Sequence, residues 1–134
     1  MQYNRDAADG VIFAPGEYEA SVKKAIESVS KAMHPMIEMI VTIYGADGAM
    51  TDVFDYLSSI DSAQWKVKHF CESAGLDYAR GNLEAEECVD RNVRVNLEID
   101  DNKQYGKKNK ISDYLLRGAD VAPSKRGADD DIPF

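Results

Sequence analysis

The sequence predicts an all-β fold: a small five-stranded barrel with one helix between strands three and four, followed by a disordered acidic tail. Three observations carry that prediction. Five segments either alternate apolar with polar residues or run as short β-branched stretches. Turn residues join two pairs of these segments closely enough for hairpins. A single long stretch, after Ser59, has helical spacing instead.

Met1 to Gly10 has no periodic pattern and reads as a frayed arm. Ala14-Pro15-Gly16 signals a turn. Tyr18, Ala20 and Val22 then alternate with Glu17, Glu19, Ser21 and Lys23, as a strand with one buried face requires. Past Val22 the alternation drifts through Ala25, Ile26 and Val29. A long bent strand with a bulge suits the length of Glu17 to Ser30, and a helical reading of its second half stays open. Lys31 to Pro35 is a loop. Met36 to Tyr44 is the strongest strand signal, rich in β-branched residues and nearly apolar on both faces. Gly45-Ala46-Asp47-Gly48 turns the chain, and Thr51 to Leu57 returns with Phe54 and Tyr56 on one face and Val53, Asp55 and Leu57 on the other.

Asp61 with Gln64 fits a capping pattern at the start of the helix. Ala63, Val67, Phe70, Cys71 and Ala74 form its apolar stripe, and Gly75 stops it. Trp65 lies off that stripe, so it meets a second element or is exposed; packing under the N-terminal arm or against a partner is the expectation. Leu83 to Val89 reads as a short acidic helix. Asn92 to Ile99 alternates cleanly, with Val93, Val95, Leu97 and Ile99 inward. Asp100 to Gly106 turns, and Lys107 to Leu115 is the last strand. The element order is that of an OB-fold, although other small β-barrels share the count. The barrel domain spans 11–117. From 118 to 134 Gly, Ala, Pro, Ser and charge mark a flexible tether.

At 134 residues the chain holds one domain and a tail. No apolar run approaches a membrane span, and the polar N-terminus is not a secretory signal. Cys71 and Cys88 show no framework spacing and suit a reducing cytoplasm. Net charge is −8, but the acid is concentrated in Glu84, Glu86, Glu87 and Asp90 and in Asp129 to Asp131. Lys103 to Arg117 holds five basic residues and one acid, a strip that suits a phosphate backbone.

The chain ends in Asp129-Asp130-Asp131-Ile132-Pro133-Phe134. This hexapeptide resembles the C-terminal tip of bacterial single-stranded-DNA-binding proteins, which recruits replication and repair enzymes. The physics agrees: carboxylates suit a basic rim, Ile-Pro-Phe a small apolar pocket, and the terminal carboxylate is a further recognition group. The body also carries a resemblance. Pro-Gly-Glu-Tyr-Glu-Ala (15–20), Val53-Phe54-Asp55-Tyr56-Leu57, Trp65-Lys66-Val67-Lys68-His69-Phe70, Val93-Arg94-Val95 and Asn109-Lys110-Ile111-Ser112-Asp113-Tyr114 look like a family of bacteriophage OB-fold single-stranded-DNA binders. Members of that family commonly carry a glycine before the fourth strand, where this chain has Asp90-Arg91-Asn92.

These resemblances imply a protein of the host-cell cytoplasm that binds and protects single-stranded DNA with little sequence specificity and recruits host or phage replication and repair proteins through Asp129 to Phe134. Single-strand binding needs aromatic faces and cations in one groove. The candidate aromatics are Tyr44, Phe54, Tyr56 and Tyr105, each also readable as ordinary strand or core composition. The candidate phosphate contacts are Lys103, Lys107, Lys108 and Lys110, with Arg94 on an outward face; Lys23, Lys24 and Lys31 are weaker. Asn109 is a candidate hydrogen-bonding contact to base or phosphate. A DNA-independent adaptor or decoy working only through the tip is the alternative. The acidic stretch lacks a partner motif for a metal-dependent nuclease, His69, Cys71, Cys88 and His34 do not make a paired zinc site, and no phosphate-cradling or serine-nucleophile motif is present. No cofactor, metal or catalytic residue is therefore expected, and the oligomeric state, homo-oligomer included, is open.

Overall fold

In the computed structural model the described residues are Met1, 12–102 and 106–116. Strands β1 (Gly16–Val29), β2 (Pro35–Tyr44), β3 (Met50–Ser58), β4 (Asn92–Asn102) and β5 (Gly106–Leu115) form one antiparallel sheet. Its order is β3-β2-β1-β4-β5, and β3 meets β5 across the seam, so the sheet curls into a nearly closed, OB-fold-like barrel. Helix α1 (Gln64–Ala74) lies between β3 and β4 in sequence and packs on β5, β4 and β3.

Alternation sets which side chains fill the barrel. Val22, Met39, Val41, Ile43, Val53, Leu57, Val93, Val95, Leu97 and Tyr114 are all buried. The drift after Val22 has a local cause. A bulge between Val22 and Lys24 inserts one residue into β1, and the strand then continues to Val29 against β2. The helical reading of this half is thereby excluded.

A second register shift lies opposite Asn96 and Leu97, which pair with Asp113 and Ile111. The extra residue, Ser112, is tied back by its own hydroxyl, which accepts from Asn96 Nδ2 at 2.8 Å and donates to the Asn96 carbonyl at 3.1 Å.

Asp90 stands where the resembling family has glycine, and its φ of 67° lies in the left-handed region that Asp tolerates better than most residues. The tight turn therefore survives without glycine. The Asp90 N–H donates to Val22 O at 2.8 Å, and Val22 N–H donates to Arg91 O at 2.9 Å, which seats β4 on β1.

The start of α1 differs from the expected cap. Asp61–Ala63 forms a 3-10 turn, and Ala63 holds the N-cap position with no side-chain hydrogen bond. Gln64 instead donates through Nε2 to Ile60 O at 3.3 Å. Gly75 closes the helix at φ 78°, as expected. The acidic helix α2 is one turn, Ala85–Cys88, with Glu84 and Glu87 forming a reciprocal capping box. The last hairpin is longer than the sequence suggests. Asp100, Asp101 and Asn102 belong to β4, where Lys108 and Lys107 stand opposite the two acids and Gly106 opposite Asn102.

Candidate nucleic-acid interface

The outer face of β1, β2 and β3 gathers what the core excludes. With Val53, Asp55 and Leu57 inward, the pleat turns Phe54 and Tyr56 out, 61% and 55% exposed. Their ring centroids lie 5.9 Å apart at 53°. Tyr44 at the end of β2 is 41% exposed, and its hydroxyl lies 2.6 Å from Ser21 Oγ on β1. Three candidate aromatics thus share one solvent-facing surface rather than the core.

Register orders this surface into rows. Lys24, Ile40 and Phe54 stand side by side across three strands, and Ile26, Glu38 and Tyr56 form the next row. Toward the β2–β3 hairpin come Ser21, Thr42 and Asp52, then Glu19, Tyr44 and Met50. Neighbouring strands run roughly 4.8 Å apart, so Lys24 stands about 10 Å from Phe54, within reach of the phosphate of a base lying on that ring.

The cations differ in how free they are. Lys23 reaches Asp52 Oδ2 at 3.0 Å, and Asp52 Oδ1 accepts from Thr42 Oγ1 at 2.8 Å. The Lys23 hydrogen bond holds the Asp52 carboxyl below its ordinary value. Arg94 lies on the outer face as expected, but Glu17 and Glu19 engage its guanidinium at 3.2 and 2.7 Å. Lys24 is exposed and has no ion-pair or hydrogen-bond partner among the described residues. The bulge brings it here: one inserted residue lets Lys23 and Lys24 in succession serve the same face. Broken alternation after Val22 was the sequence signal for this.

Lys107, Lys108 and Lys110 are exposed on β5, and the hairpin that carries them opens at the same barrel end as the β2–β3 turn. In the ladder, however, Asp101, Asp100 and Glu98 stand opposite them. A strip that is basic along the chain is mixed in two dimensions. Lys103 and Tyr105 lie outside the described residues, as does the whole tip Asp129, Asp130, Asp131, Ile132, Pro133 and Phe134.

Asn109 has a structural task. Its Nδ2 donates to Phe13 O and its Oδ1 accepts from Phe13 N–H, both at 2.8 Å, as a strand partner would. This holds the Phe13 ring over Gly45, where an added Cβ would sit 3.0 Å from the ring. Trp65 is half-exposed on α1, edge-on to His69 with centroids 5.7 Å apart.

Among the described residues no group of three His, Cys, Asp or Glu can hold a metal, and no helix is long and apolar enough to cross a membrane. Cys71 and Cys88 are buried and free, and burial pushes the Cys88 thiol up to about 12, away from nucleophilic use. A cleft of about 700 Å³ at the opposite barrel end is lined by Pro35, Leu57, Val67 and Leu83, with the carboxylates of Glu27 and Asp61. No family model matches the chain, and no curated protein does.

Proposed function

We propose that the chain binds and protects single-stranded DNA during phage replication or recombination, laying bases on the outer face of β1, β2 and β3. One observation carries this reading. Tyr44, Phe54 and Tyr56, three large aromatics, stand exposed on one sheet face beside Lys24, a cation without an ion-pair partner among the described residues. Exposed rings leave apolar faces in water, whereas unstacked bases cover them and gain stacking free energy.

The geometry favours single strands over duplex. Paired bases keep their faces stacked on one another, so only an open strand can offer a face to Phe54 or Tyr56. An overall charge of −8, with Lys23 and Arg94 held by acids and Glu98, Asp100 and Asp101 opposite the lysines of β5, gives duplex phosphates little to bind. The tip, Asp129 to Phe134, then recruits replication and repair proteins, a proposal that rests on its resemblance to bacterial counterparts. Competition of unlabelled duplex against labelled oligo-dT tests the reading: the single strand should hold its place, and displacement by equimolar duplex would refute it.

A further inference from the structure

Resting on that reading, we propose that Glu38 selects the base stacked on Tyr56 and favours guanine. Glu38 sits mid-way along β2, half-buried on the outer face, directly opposite Tyr56 on one side and Ile26 on the other. Ile40 follows it on the same face, opposite Phe54. This carboxylate therefore stands among the apolar side chains Ile26, Ile40 and Tyr56, with Lys24 on the diagonal. It has no hydrogen-bond or ion-pair partner among the described residues. Asp52, on the same face, shows the contrast, since Lys23 and Thr42 satisfy both its oxygens.

A half-desolvated carboxylate without donors costs free energy that an incoming donor recovers. A base lying on the Tyr56 ring directs one edge over the neighbouring strand, one interstrand spacing away, where Glu38 stands. Ionised, Glu38 offers acceptors only, two oxygens side by side. Guanine carries two adjacent donors on its pairing edge, N1–H and the N2 amino group, and meets both oxygens at once. Cytosine and adenine set one amino donor beside a ring-nitrogen acceptor, and thymine sets one N–H between two carbonyls, so each turns an acceptor toward the carboxylate. Phosphates are repelled from Glu38 and drawn to Lys24 on the diagonal, which orients the strand with its bases toward β2 and β3.

The test is fluorescence anisotropy on three oligonucleotides of equal length in lithium buffer: oligo-dT, alternating d(TG), and the same repeat with inosine for guanine. Inosine keeps N1–H and loses the amino group. The full chain should prefer d(TG) over oligo-dT by about fivefold or more, the lower range for a bidentate base contact, and inosine should forfeit most of that gain. Glu38→Gln and Glu38→Ala, with folding checked by thermal melting, should both lower the d(TG) preference to the inosine level. If both variants keep the full preference, or strengthen every oligonucleotide equally, Glu38 is only a repulsive charge and the inference is overturned. A wild-type chain that binds none of the three overturns the function itself, an outcome distinct from binding without preference.

Discussion

Tyr114 of β5 donates its hydroxyl to Asp55 of β3 across 2.7 Å, and Lys66 of α1 reaches the other oxygen of the same carboxylate at 2.5 Å. Asp55 and Tyr114 are 7% and 2% exposed, and the contact spans the seam where the sheet closes without a ladder. Three elements therefore converge on one buried carboxylate. Asp55→Ala should cost about 3 kcal/mol, because it strands the Lys66 charge. Tyr114→Phe should cost about 1–2 kcal/mol. Urea denaturation checks both, and the double variant should lose less than the sum, since the two share one interaction.

Alkaline pH should loosen the fold before it reaches the surface lysines. Burial raises the Cys88 thiol from an ordinary 9.0 to about 12 and raises the Cys71 thiol and the Tyr114 hydroxyl as well. For a group whose folded value is raised, stability is complete below the unfolded value and is lost as pH climbs toward the folded one. The urea midpoint should therefore be level up to about pH 8.5 and fall above about pH 9. Cys88→Ala should make that fall shallower, with the midpoint measured against pH for both chains.

Salt dependence separates Lys24 from Arg94, which two carboxylates engage. Lys24→Ala should reduce the slope of log affinity against log salt by about 0.7, one phosphate contact's worth on a single strand. Arg94→Ala should leave the slope unchanged and lower stability slightly, by up to about 1 kcal/mol, because its partners are Glu17 and Glu19 at a partly exposed site.

Removing Asp129 to Phe134 should leave DNA affinity intact and abolish capture of the repair enzymes that dock on such acidic tips. Capture that persists would separate this tip from its bacterial counterparts. A chain that captures them yet ignores DNA would be the adaptor alternative.

Much of this architecture was legible because the pleat writes itself into sequence. Val93, Val95 and Leu97 alternate and point inward, and the outward turn of Phe54 and Tyr56 follows from the same rule. What escaped depends on partners remote along the chain. Asp55 could be placed on the inner face, but its partners Lys66 and Tyr114 lie 11 and 59 positions away. The lysine strip looked basic because Glu98, Asp100 and Asp101 come opposite it only once β4 and β5 are in register. Lys24 looked weak because a bulge, not alternation, decides which way it faces. Asn109 looked like a ligand contact because nothing local tells of Phe13, 96 positions earlier.

Anisotropy of labelled oligo-dT with the wild-type chain and with Phe54→Ala/Tyr56→Ala bears most directly on the central claim. Both side chains are exposed, so the double variant should melt as the wild type does. The account predicts submicromolar binding by the wild type and a loss of about 100-fold in the variant, since each stacked base contributes about 1–3 kcal/mol. Wild-type affinity retained by the double variant, or no binding by the wild type at low salt, would contradict it.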